Sequence, residues 1–205
     1  MGRNVGPKCR LCRREGEKLF LKGEKCYTEK CPVSRRSYPP GVQHRSRRQS
    51  LYGDRLREKQ KTKHIYGTRE GQFLRYVQMA KRSKAVAGTY LLQLLERRLD
   101  STLYRAGLAS SHDQARQLIN HGHIWVNGRR VDIASWLTRP GDEIAVKESS
   151  AGKTGLKAIL AANAKRSLPS WLERQNGTVR VLELPHPKEI EQALQMNLVV
   201  EFYSR

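Results

Sequence analysis

The chain has 205 residues, with 40 Lys+Arg against 19 Asp+Glu, a formal charge of +21 and a sequence pI of about 10.3. A basic surplus of that size points to a polyanionic partner. No stretch reaches the apolar length needed to span a bilayer, and no apolar core follows the basic N-terminal residues as a signal peptide requires, so a cytoplasmic protein is expected. At 38% hydrophobic residues the chain can bury one modest core or two small ones. The leucine-rich stretches come after residue 88, which leaves the N-terminal quarter little to bury.

That quarter needs another source of order, and four cysteines offer one. Cys9-x2-Cys12, thirteen residues, then Cys26-x4-Cys31 makes two close pairs whose thiolates can converge tetrahedrally on one ion. Disulfides are the competing reading, disfavoured by a cytoplasmic, RNA-binding composition. Zinc is the expected metal and an iron–sulfur cluster the alternative, because four thiolates suit both. With all four positions held by protein, the centre would be structural. His44 lies too far along the chain to be a needed ligand. Residues 1–48 carry 14 Lys+Arg and 4 Asp+Glu, a net +10. The knuckle therefore reads as a phosphate-binding arm, through Arg3, Lys8, Arg10, Arg13, Arg14, Arg35 and Arg36.

Ser37-Tyr38-Pro39-Pro40-Gly41 favours an extended, turning connector and marks a boundary. Beyond it Arg45, Arg47 and Arg48 form a charge run that the surrounding charge assigns to RNA contact. Residues 54–64 are strong helix formers with almost no apolar face, a helix in need of a neighbour or a polyanion. Its Arg55, Lys59, Lys61 and Lys63 are candidate RNA contacts, as is Arg69. Thr68 can cap a second helix lined on one side by Phe73, Tyr76, Val77 and Ala80. Thr89 opens a third, in which Leu91, Leu92, Leu94, Leu95, Leu99 and Leu103 form a core stripe while Glu96, Arg97, Arg98 and Asp100 decorate the rest.

Residues 111–146 hold the most informative pattern. Ser111-His112-Asp113-Gln114 has capping-box spacing, so a helix starts there, and Gly122 ends it. Ala115, Leu118 and Ile119 share one face, which frees Gln114, Arg116, Gln117 and Asn120 for a partner. Two short strands then flank Asn127-Gly128, the pair that best tolerates the positive φ angles of a two-residue hairpin. Arg139-Pro140-Gly141-Asp142 turns into a further strand at 143–146. Ser111, His121, His123, Arg129 and Arg130 complete a set of amides, hydroxyls, guanidiniums and histidines suited to phosphates and RNA grooves. Trp136 and Trp171 read as core or interface, whereas Trp125 is left on the hairpin's outer face by its neighbours Ile124 and Val126. Further on, 156–165 reads as a helix, 178–184 as a strand, 188–195 as a helix and 198–203 as a final apolar strand.

Tyr52-Gly53-Asp54-Arg55-Leu56-Arg57-Glu58-Lys59-Gln60-Lys61, Ile65-Tyr66-Gly67, Leu95-Glu96-Arg97-Arg98-Leu99-Asp100, Ala115-Arg116-Gln117-Leu118 and the terminal Val200-Glu201-Phe202-Tyr203-Ser204-Arg205 resemble the S-four family of bacterial small-subunit ribosomal proteins. Gly6-Pro7, Arg13-Arg14-Glu15-Gly16 and the cysteine quartet resemble its metal-binding branch. The likeness covers essentially the whole chain. It departs at Pro40-Gly41-Val42-Gln43-His44-Arg45, where the family usually has Pro-Gly-Gln-His-Gly, and residues 151–168 follow only loosely. The resemblance implies an α+β protein. Its expected parts are a metal knuckle and basic arm over 1–45, a mostly helical domain begun over 46–87 and completed with short C-terminal strands over 151–205, and an inserted RNA-binding module over 88–150. It also implies a structural role in binding the 5′ domain of 16S rRNA early in assembly. The expected neighbours are messenger RNA near the path by which it enters and a protein of the S-five family.

An enzyme is the rival class. The same module occurs in pseudouridine synthases, whose catalytic aspartate follows an Arg-Leu pair like Arg98-Leu99-Asp100. Here that triplet lies on the leucine-rich helix opening the module, where Asp100 makes better sense in a local ion pair. No paired carboxylates, nucleophile elbow or Gly-rich phosphate loop supports catalysis. A free RNA-binding translational regulator is a third class, compatible with assembly.

Overall fold

The computed structural model describes residues 5–42, 50–152, 154–163, 167–175, 177–186, 189–190 and 194–204. Arg3, His44, Arg45, Arg47 and Arg48 lie outside the described residues, as does part of the helix expected over 188–195. In chain order the elements are α1 (Lys8–Glu15), α2 (Pro32–Arg35), α3 (Leu51–Ile65), α4 (Glu70–Arg82), α5 (Ala87–Glu96), α6 (Leu99–Arg105), α7 (His112–Asn120), β1 (Ile124–Val126), β2 (Arg129–Arg130), β3 (Glu143–Val146), α8 (Glu148–Ala151), α9 (Thr154–Asn163), β4 (Leu172–Gln175), β5 (Thr178–Val181) and α10 (Met196–Phe202). They divide into two compact units, Met1–Leu92 with Gln192–Arg205, and Gln93–Glu191.

In the first unit Ser50 caps α3, its hydroxyl accepting from the Gly53 amide at 3.2 Å. The polar helix finds its neighbour in α10, which packs along it. The Gln195 amide donates to Glu58 Oε1 at 2.8 Å, Arg55 meets Glu201 at 2.8 Å, and the Tyr52 and Phe202 rings stand 5.7 Å apart. The expected final strand over 198–203 is thus a helix. Met196 and Val199, both buried, fall three apart on one helical face, and a short apolar run does not distinguish the two periods. α4 buries Phe73, Tyr76, Val77 and Ala80 as expected, but its N-cap is Arg69, one residue past Thr68, with no side-chain cap bond.

The second unit is built on an antiparallel five-stranded sheet in the order β2-β1-β3-β5-β4. Asn127 (φ 50°) and Gly128 (φ 73°) make the hairpin turn between β1 and β2. Inward residues Ile124, Val126, Ile144, Val179 and Val181 pack with Leu99, Leu103, Ile119 and Trp171, and Trp136 lies against this core. The unit is wider than the insertion expected over 88–150. Ile144 of β3 pairs with Val179 of β5, so two strands from beyond residue 150 join the module's sheet and cover an edge that would otherwise expose unpaired backbone.

The leucine stripe is also not one helix. It breaks at Arg97-Arg98, where the Leu99 amide donates to the Trp136 carbonyl at 2.8 Å and the Thr138 amide to the Arg97 carbonyl at 2.7 Å. Nor do its charged residues lie on the surface, since Glu96, Arg98 and Asp100 are 1%, 3% and 0% exposed. Arg98 grips Asp100 in a fork, Nε to Oδ1 at 3.0 Å and Nη2 to Oδ2 at 2.7 Å, and Arg116 binds Oδ2 from α7. Arg105 grips Glu96 the same way, at 3.0 and 2.8 Å. Burial alone would raise the Asp100 pKa, but the two guanidiniums hold it below its ordinary value. Asp100→Ala, which strands two buried guanidiniums, should cost about 3–5 kcal/mol of stability, read by chemical denaturation.

Candidate nucleic-acid interface

In the second unit α7 and the hairpin present their polar groups from a braced frame. The Ser111 hydroxyl accepts from the Gln114 amide at 3.3 Å, and Gln114 Oε1 accepts from the Ser110 amide at 2.6 Å, a capping box closed one residue early. Ser111 and Gln114 are therefore engaged in starting the helix. Arg116, expected to face a partner, is instead 8% exposed and bonded to Asp100. Gln117, Asn120 and His121 are exposed on α7, and Arg129 and Arg130 on β2. Gly122 ends the helix at φ 72°, and a Cβ there would stand 2.5 Å from Arg130 Nε, so the guanidinium lies directly across the glycine. The His121 and His123 rings are 6.2 Å apart, and His123 Nδ1 is 2.9 Å from Ser150 Oγ. Asn127 ties the hairpin tip to the next turn, donating to Asp142 Oδ1 at 2.8 Å and accepting from the Glu143 amide at 2.8 Å. By register Trp125 sits beside Arg130 and Ala145, with Ile124 and Val126 turned inward.

In the first unit Arg10 and Arg14 are exposed on α1, whereas Arg13 donates to the Tyr38 carbonyl at 3.0 Å and lies 4.7 Å over the Tyr38 ring, pinning the connector. Arg13, Lys30, Arg35 and Arg36 line an open basic hollow of about 520 Å³. Lys30 was not among the predicted contacts, although its place beside Cys31 was a usable signal. The cations of α3 are mostly matched: Lys61 lies 2.7 Å from Glu17, Lys63 2.5 Å from Glu70, and Arg57 3.4 Å from Glu15. Lys59 is a clear correction. It is 5% exposed, with Nζ 3.0 Å from Glu70 and 4.6 Å over the Phe202 ring, so it holds the fold together rather than reaching for RNA.

Cys12, Cys26 and Cys31 are buried and Cys9 half-buried, and none of the four is in a disulfide. Burial raises the Cys12 and Cys26 pKa values, and the neighbouring cysteines raise them further. The Lys22 amide points at Cys26 Sγ from 3.4 Å. Among the described residues, no three His, Cys, Asp or Glu side chains stand in a ligand-like group, and no helix is long and apolar enough to cross a membrane.

A short helix, a hairpin and a further strand, with amides, imidazoles and guanidiniums on their rim, make the second unit an RNA-binding module. Residues 3–96 match the model for the ribosomal protein S4/S9 N-terminal domain and residues 97–144 that for the S4 domain. The seam between the matches falls at the break between α5 and α6. Over the full length of both chains the protein is 53% identical to small ribosomal subunit protein uS4A of Symbiobacterium thermophilum. It is 52% identical, again over both full lengths, to the uS4 proteins of Caldicellulosiruptor bescii and Thermoanaerobacter pseudethanolicus. The chain belongs to the uS4 family of small ribosomal subunit proteins.

The module also contains a pH-sensitive group. Burial lowers the His112 pKa to about 4, a shift that Asp100 and Glu96 oppose and that Arg105 and Arg116 reinforce, and its ring lies 4.4 Å from that of Tyr104. The unfolded chain therefore takes up this proton first as pH falls. Stability should be level above about pH 6.5, decline towards pH 4 and then flatten as far as this residue is concerned. Asp100, held below its ordinary value, adds a separate loss of its own only as pH falls towards the ordinary carboxylate range. Trp125, Trp136 and Trp171 all belong to the second unit, so tryptophan fluorescence during denaturation reads it. His112→Gln should reduce the loss between pH 6.5 and pH 4.

Proposed function

We propose that this protein is a structural component of the small ribosomal subunit, working in the cytoplasm, and that it binds the 5′ domain of 16S rRNA early in assembly. The observation that carries the RNA reading is the exposed set Gln117, Asn120, His121, Arg129 and Arg130, with the Arg130 guanidinium lying across Gly122 at the end of α7. Such groups contact phosphate and sugar, which position a protein on RNA without reading its bases. The S-four resemblance adds messenger RNA near its path of entrance, through Arg45, Arg47 and Arg48, and an S-five family neighbour. No catalytic step is assigned. Asp100, the one residue reminiscent of a pseudouridine synthase, is sealed between Arg98 and Arg116, where no substrate could reach it.

A metal at Cys9, Cys12, Cys26 and Cys31 belongs to the same reading. Burial and the neighbouring cysteines disfavour thiolates at Cys12 and Cys26, which a cation would reverse, and the Lys22 amide suits a charged sulfur. The ion would order the knuckle and perform no chemistry. Zinc is favoured, with an iron–sulfur cluster as the alternative.

Binding to 5′-domain RNA should weaken steeply with salt, and replacing both Arg129 and Arg130 by alanine should flatten the logarithmic slope by about two, one for each lost phosphate contact. A nearly flat response in the parent would reject the reading. Separately, native mass spectrometry should find one metal centre per chain, absent once Cys9 and Cys12 are serine, with the second unit still folded. A metal-free parent prepared without chelators would exclude it.

A further inference from the structure

We propose that the hollow formed by α1, the end of α3 and the start of α4 is a binding site for a single phosphate group, and that its occupant is one backbone phosphodiester of the RNA. The proposal rests on the RNA-binding reading above and names a subsite within it. The hollow measures about 260 Å³ and is lined by Lys8, Lys63, His64, Thr68 and Arg69, with Glu70 at its border.

Four observations converge there. Thr68 Oγ1 is fully buried without a hydrogen-bond partner, a costly arrangement for a hydroxyl. α4 begins immediately after, a 13-residue helix whose N-cap Arg69 supplies no side-chain bond, so the amides of its first turn lack a side-chain cap. The cationic charge is only partly neutralised. Glu70 engages Lys59 and Lys63, but Arg69 makes no ion pair among the described residues. His64 is lowered to about 4 chiefly by burial, and Lys63, Arg57 and Lys8 around it lower it further. Finally, the lining holds no Phe, Tyr or Trp ring on which a base could stack, its one ring being the His64 imidazole, which favours backbone over nucleobase.

Thr68 separates a binding role from a structural one. Thr68→Val removes an unpartnered buried hydroxyl while keeping its shape, so the fold should be as stable as the parent or more so. Binding should nevertheless suffer. With the full chain, dimethyl phosphate, which carries the single charge of a backbone diester, should raise the His64 pKa from about 4 as followed by NMR. Thr68→Val should weaken that binding on the order of tenfold. With 5′-domain RNA, both Thr68→Val and Arg69→Ala should bind more weakly, and Arg69→Ala should lower the salt slope by about one. If the parent binds RNA and both variants match it, the subsite is overturned and the RNA-binding reading stands. If inorganic phosphate moves His64 while dimethyl phosphate and RNA do not, the occupant is a free phosphate and the diester assignment falls. If the parent binds no RNA, the broader reading falls first and the diester with it.

Discussion

The second unit depends on one buried carboxylate. Asp100 carries a full negative charge with no exposed surface, and it is tolerable there only because Arg98 and Arg116 surround it. The two arginines come from different places, one from the chain break before α6 and the other from α7. Asp100 therefore docks the module's helix onto the segment that precedes it. The Glu96–Arg105 pair secures the end of α5 to the end of α6 in the same way. Apolar contacts among Leu99, Leu103 and Ile119 supply the attraction, but they are non-directional. The ion pairs specify the angle.

From that frame the exposed chemistry follows. α7 can present Gln117, Asn120 and His121 because its inner side is locked by Ala115, Arg116 and Ile119. The hairpin can present Arg129 and Arg130 because Asn127 and Asp142 join two turns and Gly122 leaves room for one guanidinium. A partner that met these groups would find them already held in place, which lowers the ordering cost of binding.

Local signals in the sequence were legible and long-range ones were not. Capping at Ser111, the helix end at Gly122 and the Asn127-Gly128 turn are each decided by residues a few positions apart, and each stands where the pattern placed it. The core positions of Trp136 and Trp171 were also readable, as apolar settings around large rings. The errors share a cause. Glu96, Arg98, Asp100, Arg116 and Lys59 looked like surface because charged residues are seldom buried unless paired. Their partners lie up to 16 residues away, or on another helix. The pairing of β3 with β5 was hidden similarly, since nothing in either strand announces the other. The C-terminal run was ambiguous by itself, and only its packing against α3 makes it a helix. Of the candidate contacts, residue type and rough location were legible. Which cations stay uncommitted depends on carboxylates that the fold brings near.

β2 is only two residues long, both of them arginine, and it forms one margin of the sheet. An unprotected margin invites a second copy of the same chain to add its own strand, the first step towards aggregation. Here an incoming copy would bring arginines of its own against these two, and like charges repel. The two arginines proposed as RNA contacts thus also discourage strand addition between copies of the chain.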